Sequence, residues 1–161
     1  MSSNKTDELK EKIFKAQENG DIAALYVMEN EVREHFDETL TIAYFANILE
    51  LALERLTDAL EAPRKMDMTE VQDFATVRAL YEYAIEHYSE GTKEDAAALF
   101  EVLGGLTNDE RFSHAMQYHL NAAKEKINLN DFVEKIADLE ATQQAGTFYI
   151  SEFQKSAQDL L

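Results

Sequence analysis

An all-α fold is predicted for this chain by three features of its sequence. Apolar residues recur at three- and four-residue intervals along most of the 161 residues, which is the period of one helix face. The five glycines and the single proline stand where these periodic segments end. No segment alternates with the period of two that a half-buried strand requires. These features predict seven to eight helices arranged as antiparallel helical hairpins.

The first helices are predicted from capping residues and apolar spacing. Residues 1–5 are polar and are expected to be frayed. A first helix should begin at Thr6 and end at Asn19-Gly20, and Asp21 is placed to cap a second helix. The apolar positions that define the inner faces of the two helices are Leu9, Ile13 and Ala16 in the first, and Ile22, Leu25, Met28 and Val32 in the second.

A long third helix is predicted from about Glu38 to Ala62. Pro63 stops it, because proline cannot continue a helix. Apolar residues cover more than one face of residues 41–60, which is typical of a central helix packed on two sides. The N-terminal helices therefore occupy residues 6–62, and a short loop over residues 64–68 should connect them to the rest of a single domain spanning 1–161.

The most regular pattern in the chain lies between Leu80 and Phe112. Two helix-length apolar patterns flank Gly91, which can adopt the left-handed conformation that ends a helix. Thr92 and Asp95 are spaced to cap the second of these helices, and Gly104-Gly105 is expected to end it. A hairpin of this length is one tetratricopeptide-repeat unit, so the fold predicted is a repeat-like array with divergent flanking helices.

The remaining helices are placed by the same signals. Thr69 with Gln72, and Thr107 with Glu110, have the spacing of capping boxes, so a repeat-like hairpin region is predicted over residues 69–127. A C-terminal helical region should fill residues 130–161. It is expected to bend at Gly146 and then to continue as a helix to Leu160.

Charge and composition exclude several classes of function. The chain carries 32 acidic and 15 basic residues, a net charge of −17, so a nucleic-acid backbone would be repelled. The most apolar stretch, residues 41–60, is interrupted by charged residues, and no membrane span is expected. The polar start predicts no secretory signal, and the absence of cysteine agrees with a cytoplasmic location.

No catalytic or metal-binding constellation is recognisable. A carboxylate-bridged metal bundle needs Glu-x-x-His pairs, and none of the four histidines has a glutamate three residues before it. Neither a glycine-rich phosphate loop nor a Gly-x-Ser-x-Gly turn occurs. Acidic pairs one turn apart, such as Glu50 with Glu54, are explained by a solvated helix face. We therefore expect no enzyme, no cofactor and no metal.

One aromatic stripe allows two interpretations. Tyr81 and Tyr88 lie seven residues apart on one helix face, which Arg78 and Ile85 share. Aromatic residues at helical spacing are most often core residues. If Tyr83, Ala84 and His87 instead face the second helix of the hairpin, the stripe would line an exposed groove on the inner side of a curved array. The residue pattern leaves both interpretations open.

The same stretch resembles the first tetratricopeptide repeat of the class II type III secretion chaperones. The resemblance covers residues 80–112 and rests on Leu80-Tyr81, Ala84, Tyr88, Gly91, Glu94-Asp95-Ala96, Phe100, Leu103, Leu106 and Arg111-Phe112. Those proteins are small, acidic, cytoplasmic and helical, and they hold hydrophobic translocator subunits before export. The resemblance implies a non-catalytic protein that holds an extended client segment. The residues it assigns to the client groove are Arg78, Tyr81, Ile85, Tyr88, Phe112, Ala115 and His119.

A second hypothesis comes from the N-terminal helices. One hairpin cannot cover all of the apolar surface of residues 41–60, so these helices could pair with a second copy of the chain. The protein would then be a structural or adaptor protein that forms a homodimer, with no chaperone role.

Overall fold

A computed structural model describes residues 2–161 and confirms the all-α prediction. The structure is 77% helical, with ten helices, and contains no strand within this range. The helices are α1 (Ser2–Glu18), α2 (Ile22–Val27), α3 (Glu29–His35), α4 (Glu38–Glu61), α5 (Val71–Ser89), α6 (Lys93–Leu106), α7 (Glu110–Lys124), α8 (Leu129–Asp131, which continues as a π-helical turn over Phe132–Ile136), α9 (Leu139–Ala145) and a C-terminal 3-10 helix (Lys155–Leu160).

The backbone contacts divide the chain into two compact units. The first unit comprises residues 1–64 and 69–79, and the second comprises residues 65–68 and 80–161. The first half of α5 therefore belongs to the first unit and its second half to the second. Each unit is described separately below.

In the first unit, α1 to α4 pack around an apolar core. Its fully or almost fully buried members are Leu9, Ile13, Ala16, Ile22, Leu25, Val32, Tyr44, Ile48 and Ala52. Two aspartates cap helices as their positions suggest: Asp21 accepts from the backbone N–H of Ala24 at 3.0 Å, and Asp37 from that of Leu40 at 2.8 Å. These bonds satisfy amide groups that have no partner within the helix.

Ion pairs join the start of α5 to the rest of the first unit. The carboxylate of Asp73 is buried, and it lies 2.9 Å from the guanidinium of Arg55 and 3.5 Å from that of Arg64. A carboxylate at such a position needs these partners, because removing an isolated charge from water is costly. Arg78 pairs with Glu29 at 3.0 Å, and its guanidinium lies 4.0 Å from the ring centre of Tyr26.

In the second unit, α6 and α7 form a closely packed hairpin, and the second half of α5 precedes α6 across the predicted turn. Gly91 adopts the left-handed conformation (φ 85°), as its position between two helices predicts. The connection before α5 also belongs to this unit, since the N–H of Met66 donates to the carbonyl of Leu106 at 2.8 Å. Met66 and Phe100 are fully buried.

Several helix ends differ from the predicted ones. Residues 2–5 are helical rather than frayed, while Met1 lies outside the described residues. The predicted second helix is interrupted at Met28, which separates α2 from α3. Gly104-Gly105 does not end α6, which continues to Leu106. At this position the backbone needs no left-handed residue, because the glycines keep helical geometry.

The predicted caps Thr92 and Thr107 are corrected, and in the pair Thr69 with Gln72 the glutamine bonds elsewhere. The Thr92 hydroxyl donates to the carbonyl of His87 and does not cap α6. Asp109, rather than Thr107, caps α7 by accepting from the N–H of Phe112 at 2.9 Å. The Gln72 side chain bonds to a residue remote in sequence instead of to the start of α5, since its amide oxygen accepts from the backbone N–H of Ala23. In each case a competing partner satisfies the side chain.

The largest correction concerns the C-terminus. Residues 147–154, called here the C-terminal arm, are not helical: the chain bends at Phe148 and Tyr149, and Phe153 forms an isolated bridge with Ala137. Gly146 ends α9 in the left-handed conformation (φ 72°), and the arm then pairs with the segment before α9. The N–H of Asp138 donates to the carbonyl of Glu152, and the N–H of Gln154 to that of Ile136, both at 2.8 Å.

Two alanine substitutions should separate the roles of the glycines in the second unit. Gly91→Ala places a side chain in the left-handed region, so we expect the free energy of unfolding to fall by about 1–2 kcal/mol. Gly105→Ala meets no atom within 4 Å and keeps helical geometry, so stability should rise by about 0.5–1 kcal/mol. Urea denaturation measures both, and equal effects of the same sign would contradict this assignment.

Candidate functional site

The candidate site is the surface formed by the second half of α5 together with α6 and α7, called here the α5–α7 face. Four of the predicted groove residues meet in the core of this unit. Tyr81 is 4% exposed and Tyr88 1%, while Phe112 and His119 are fully buried. The exposed groove considered for the Tyr81/Tyr88 stripe is therefore not present in this structure, and the stripe is core.

The other predicted residues have different surroundings. Ala115 is fully buried one turn before His119 on α7, and Ile85 is half-buried on α5. Arg78 belongs to the first unit, where its guanidinium is held by Glu29 and Tyr26. A role for these residues in client binding stays a prediction.

The α5–α7 face is covered by the chain's own C-terminal arm. The ring of Phe148 lies 6.0 Å from that of Tyr81, and the ring of Tyr149 lies 4.9 Å from that of Phe112 in an edge-to-face contact. Phe153 stacks on Tyr118 with ring centres 3.9 Å apart and an interplanar angle of 14°. Aromatic contacts of these kinds stabilise a packed layer beyond the area they bury. The arm thus covers Tyr81 and Phe112, whereas Tyr88 is covered by Phe100 and Phe132.

Polar contacts fix the arm in register. The N–H of Ile150 donates to the hydroxyl oxygen of Tyr81 at 3.1 Å. The hydroxyl oxygen of Thr142 on α9 accepts from the N–H groups of Ser151 and Glu152, at 3.3 and 3.1 Å. Arg111 pairs with the Glu152 carboxylate at 3.3 Å. Side chains therefore satisfy the N–H groups of residues 150–152, while backbone bonds with Ile136 and Asp138 hold the end of the arm.

His119 and Tyr81 form a buried polar pair beneath the arm. The Nδ1 atom of His119 lies 2.7 Å from the carbonyl oxygen of Ala115, and its Nε2 lies 2.8 Å from the Tyr81 hydroxyl. Since a carbonyl only accepts, Nδ1 carries the proton and Nε2 accepts from Tyr81. The Tyr81 oxygen is then free to accept from Ile150, so every polar atom of the pair has a partner.

Burial sets the protonation states of this pair. It lowers the pKa of His119 to about 4, against the opposing effect of its bond to Ala115, and it raises the pKa of Tyr81. The rings of Phe100, Phe132 and Phe153 surround the imidazole, with the nearest ring centre at 4.8 Å. At neutral pH both groups are uncharged, and the arrangement is that of a structural network closed to solvent.

The arm residues are not identified as functional candidates from the sequence, because the spacing of Phe148, Ile150 and Phe153 predicts a helix there. The segment 147–150 consists of Thr147, Phe148, Tyr149 and Ile150, residue types that favour extended structure. Together with Gly146, this composition was the available signal. Its partner residues are remote in sequence: Ile150 contacts Tyr81, which lies 69 positions earlier.

Other kinds of site find no support among the described residues. Across residues 2–161, no group of three or more histidine or acidic side chains is placed to hold a metal ion. No helix in this range is long and apolar enough to cross a membrane. Comparisons with protein-family models, curated proteins and solved structures find no match.

Proposed function

We propose that the protein is a non-catalytic protein-binding module whose α5–α7 face holds an extended segment of a client protein. The observation that carries this proposal is the C-terminal arm, a non-helical and aromatic segment that already lies on this face. A surface that accepts one such segment has the shape and the chemistry to accept another. The arm would then be an internal occupant that a client must displace.

The contacts of the arm define what a client would need. Aromatic side chains corresponding to Phe148, Tyr149 and Phe153 would enter the layer formed by Tyr81, Phe112 and Tyr118. One backbone N–H would donate to Tyr81 in place of that of Ile150. Extended peptides are commonly recognised in this way, by backbone hydrogen bonds and pockets for individual side chains.

The resemblance of residues 80–112 to the class II type III secretion chaperones makes this proposal more specific. A chaperone of that kind is cytoplasmic and holds a hydrophobic translocator before export. On this hypothesis Tyr81, Phe112 and His119, whose rings contact the arm, become accessible to the client only when the arm leaves. Ile85 would contribute from the second half of α5.

Competition between the arm and an added peptide provides the test. The arm has an effective concentration in the millimolar range because it is tethered, so a labelled peptide of residues 146–161 should bind the intact protein weakly. Phe153→Ala in the protein removes the stack on Tyr118 and weakens the arm. We expect this variant to bind the unaltered peptide about tenfold more tightly, as measured by fluorescence anisotropy.

Two controls accompany this experiment. A peptide in which Phe148, Tyr149 and Phe153 are replaced by serine should not bind, and Phe14→Ala in the protein should leave binding as in the unaltered chain, since Phe14 is exposed on α1. The proposal is wrong if the folded Phe153→Ala protein binds the peptide no better than the unaltered protein does. Equal binding of the serine peptide would also refute it.

Self-association through the N-terminal helices is a second candidate, favoured by one observation. Helix α4 leaves Ile42 and Leu60 about 60% exposed, although both are large apolar residues. Exposed apolar surface of this kind marks sites of association. Sedimentation equilibrium over a range of concentrations distinguishes a homodimer from a monomer.

A further inference from the structure

The exposed apolar residues of α4 lie on one side of the helix. Successive residues are rotated by about 100°, which places six large apolar side chains within an arc of roughly 80°. These residues, called here the α4 stripe, are Ile42, Phe45, Leu49, Leu53, Leu56 and Leu60. The buried face of α4, with Tyr44, Ile48, Ala52 and Ala59, lies beside the stripe and packs within the first unit.

The α4 stripe is accessible along its length. Ile42 is 62% exposed, Leu53 36% and Leu60 60%, and the residues between them are half-buried. From Ile42 to Leu60 it extends about 27 Å at a rise of 1.5 Å per residue. Part of it is shielded by Arg33 of α3, whose guanidinium lies 4.8 Å from the ring centre of Phe45. A single amphipathic helix of about 18 residues matches this length.

An acidic line borders the stripe. Glu50, Glu54 and Glu61 are all exposed, and their helical positions place them together on the side of the stripe away from the buried face. The one basic residue of α4, Arg55, is held by Asp73. Arg33 of α3 faces the stripe over the ring of Phe45, and it also pairs with Glu29 at 3.3 Å. The border of the stripe is thus predominantly acidic.

Charge distinguishes between the occupants that could cover this stripe. A second copy would bring its own acidic line and a further net charge of −17 to the contact, so like charges would oppose pairing. A helix with lysine or arginine beside its apolar seam would meet opposite charges instead. Coiled-coil partners are selected by flanking charges in the same manner.

We propose that the α4 stripe is a docking site for an amphipathic partner helix whose apolar seam is bordered by basic residues. Binding would add one helix alongside α4, with the seam covering Ile42, Leu53 and Leu60 and the basic residues facing the acidic line. This proposal does not depend on the function proposed for the α5–α7 face. The proposal explains the exposed apolar residues of the α4 stripe as a binding surface.

Three synthetic helical peptides test whether binding requires the apolar seam and whether it requires the basic borders. The first has a leucine seam with lysine at its borders, the second has the same seam with glutamate at its borders, and the third has the composition of the first with its seam scrambled. Calorimetric titration against the full-length protein should detect binding of the first peptide alone. Its affinity should fall as salt is raised, since the border charges are exposed.

Protein variants locate the site. The double variant Ile42→Gln, Leu60→Gln should keep α4 helical, because glutamine is a good helix former. It should weaken binding of the first peptide about tenfold or more. Val27→Gln is the matched control, because Val27 is 82% exposed on α2, and it should leave binding unchanged. Neutralising Glu50, Glu54 and Glu61 to glutamine should reduce the preference for lysine over glutamate borders about tenfold.

Four outcomes would overturn the proposal. Equal binding of the scrambled peptide would mean attraction by charge alone, and equal binding of the glutamate-bordered peptide would remove the role of the acidic line. Unchanged binding by the Ile42→Gln, Leu60→Gln protein would place the contact elsewhere. A dimer in sedimentation that this double variant abolishes would identify a second copy as the occupant.

Discussion

Phe112→Ala is expected to lower the free energy of unfolding by about 3–5 kcal/mol, the range found when a buried phenylalanine is truncated. Phe112 is fully buried and contacts the rings of Phe148 and Tyr149 in the arm. Truncation removes these contacts and leaves a cavity between α7 and the arm. If Phe112 instead lined an open groove, its loss would cost little, because its ring would already contact water.

Urea denaturation followed by circular dichroism measures this difference. Phe14→Ala is the control of identical chemistry, since Phe14 is 60% exposed and should change stability by less than about 0.5 kcal/mol. Domains of this kind are stable by about 5–15 kcal/mol, so the Phe112→Ala protein can still fold. Should it not, Phe112→Leu removes less volume and preserves the comparison. A loss under about 1 kcal/mol for Phe112→Ala would refute the core assignment.

The helices could be predicted because each is specified by residues close in sequence. Helix α4 begins after Asp37, whose side chain caps it, and ends before Pro63, which cannot continue it. The α5–α6 turn requires Gly91, whose φ of 85° other residues adopt at a cost. Local signals of this kind need no knowledge of tertiary contacts, so these parts of the fold were accessible from sequence.

The errors arose where distant residues compete with local preference. Ile22, Leu25, Met28 and Val32 keep helical spacing across the break at Met28, so the pattern conceals the boundary between α2 and α3. Gln72 has capping-box spacing but bonds to α2 instead. At the first of these positions the Tyr44 hydroxyl of α4 donates to the carbonyl of Leu25, so tertiary contacts compete with local propensity in both cases.

The candidate site was predicted in part for the same reason. Helical spacing predicts the Tyr81/Tyr88 stripe and the resemblance adds Phe112 and His119, and the structure buries all four in one unit. Whether such a face is open depends on what covers it. Here the cover is the arm, whose non-helical form is stabilised by partners far away in the chain, such as Tyr81 and Tyr118. Helical periodicity carries no information about such a partner.

The pH dependence of stability should report directly on the buried pair beneath the arm. The pKa of His119 is about 4 in the folded protein and about 6.5 in an unfolded chain. As pH falls below 6.5, the unfolded chain gains a proton that the folded protein does not take up until pH 4. Stability is therefore lost over this interval: by about 2 kcal/mol at pH 5 and about 3 kcal/mol once the pH is below 4.

The geometry explains why protonation is unfavourable. An imidazolium would donate from both nitrogens, so Tyr81 could no longer donate to Nε2 and its hydroxyl proton would lose its partner. The Tyr81 oxygen already accepts from Ile150, and the surrounding groups are phenylalanine rings that cannot solvate a charge. Protonation of His119 is thus coupled to the contact that fixes the arm.

Comparison of variants isolates this effect from the many carboxylates that also titrate. His119→Gln removes the titrating group, so its free energy of unfolding should fall less between pH 7 and pH 5 than that of the unaltered protein, by about 2 kcal/mol. His114→Gln, on the exposed side of the same helix, should follow the unaltered protein. Parallel curves for His119→Gln and the unaltered protein would show that His119 takes up its proton equally in both states. In that case protonation of His119 could not control how firmly the arm is held against α7.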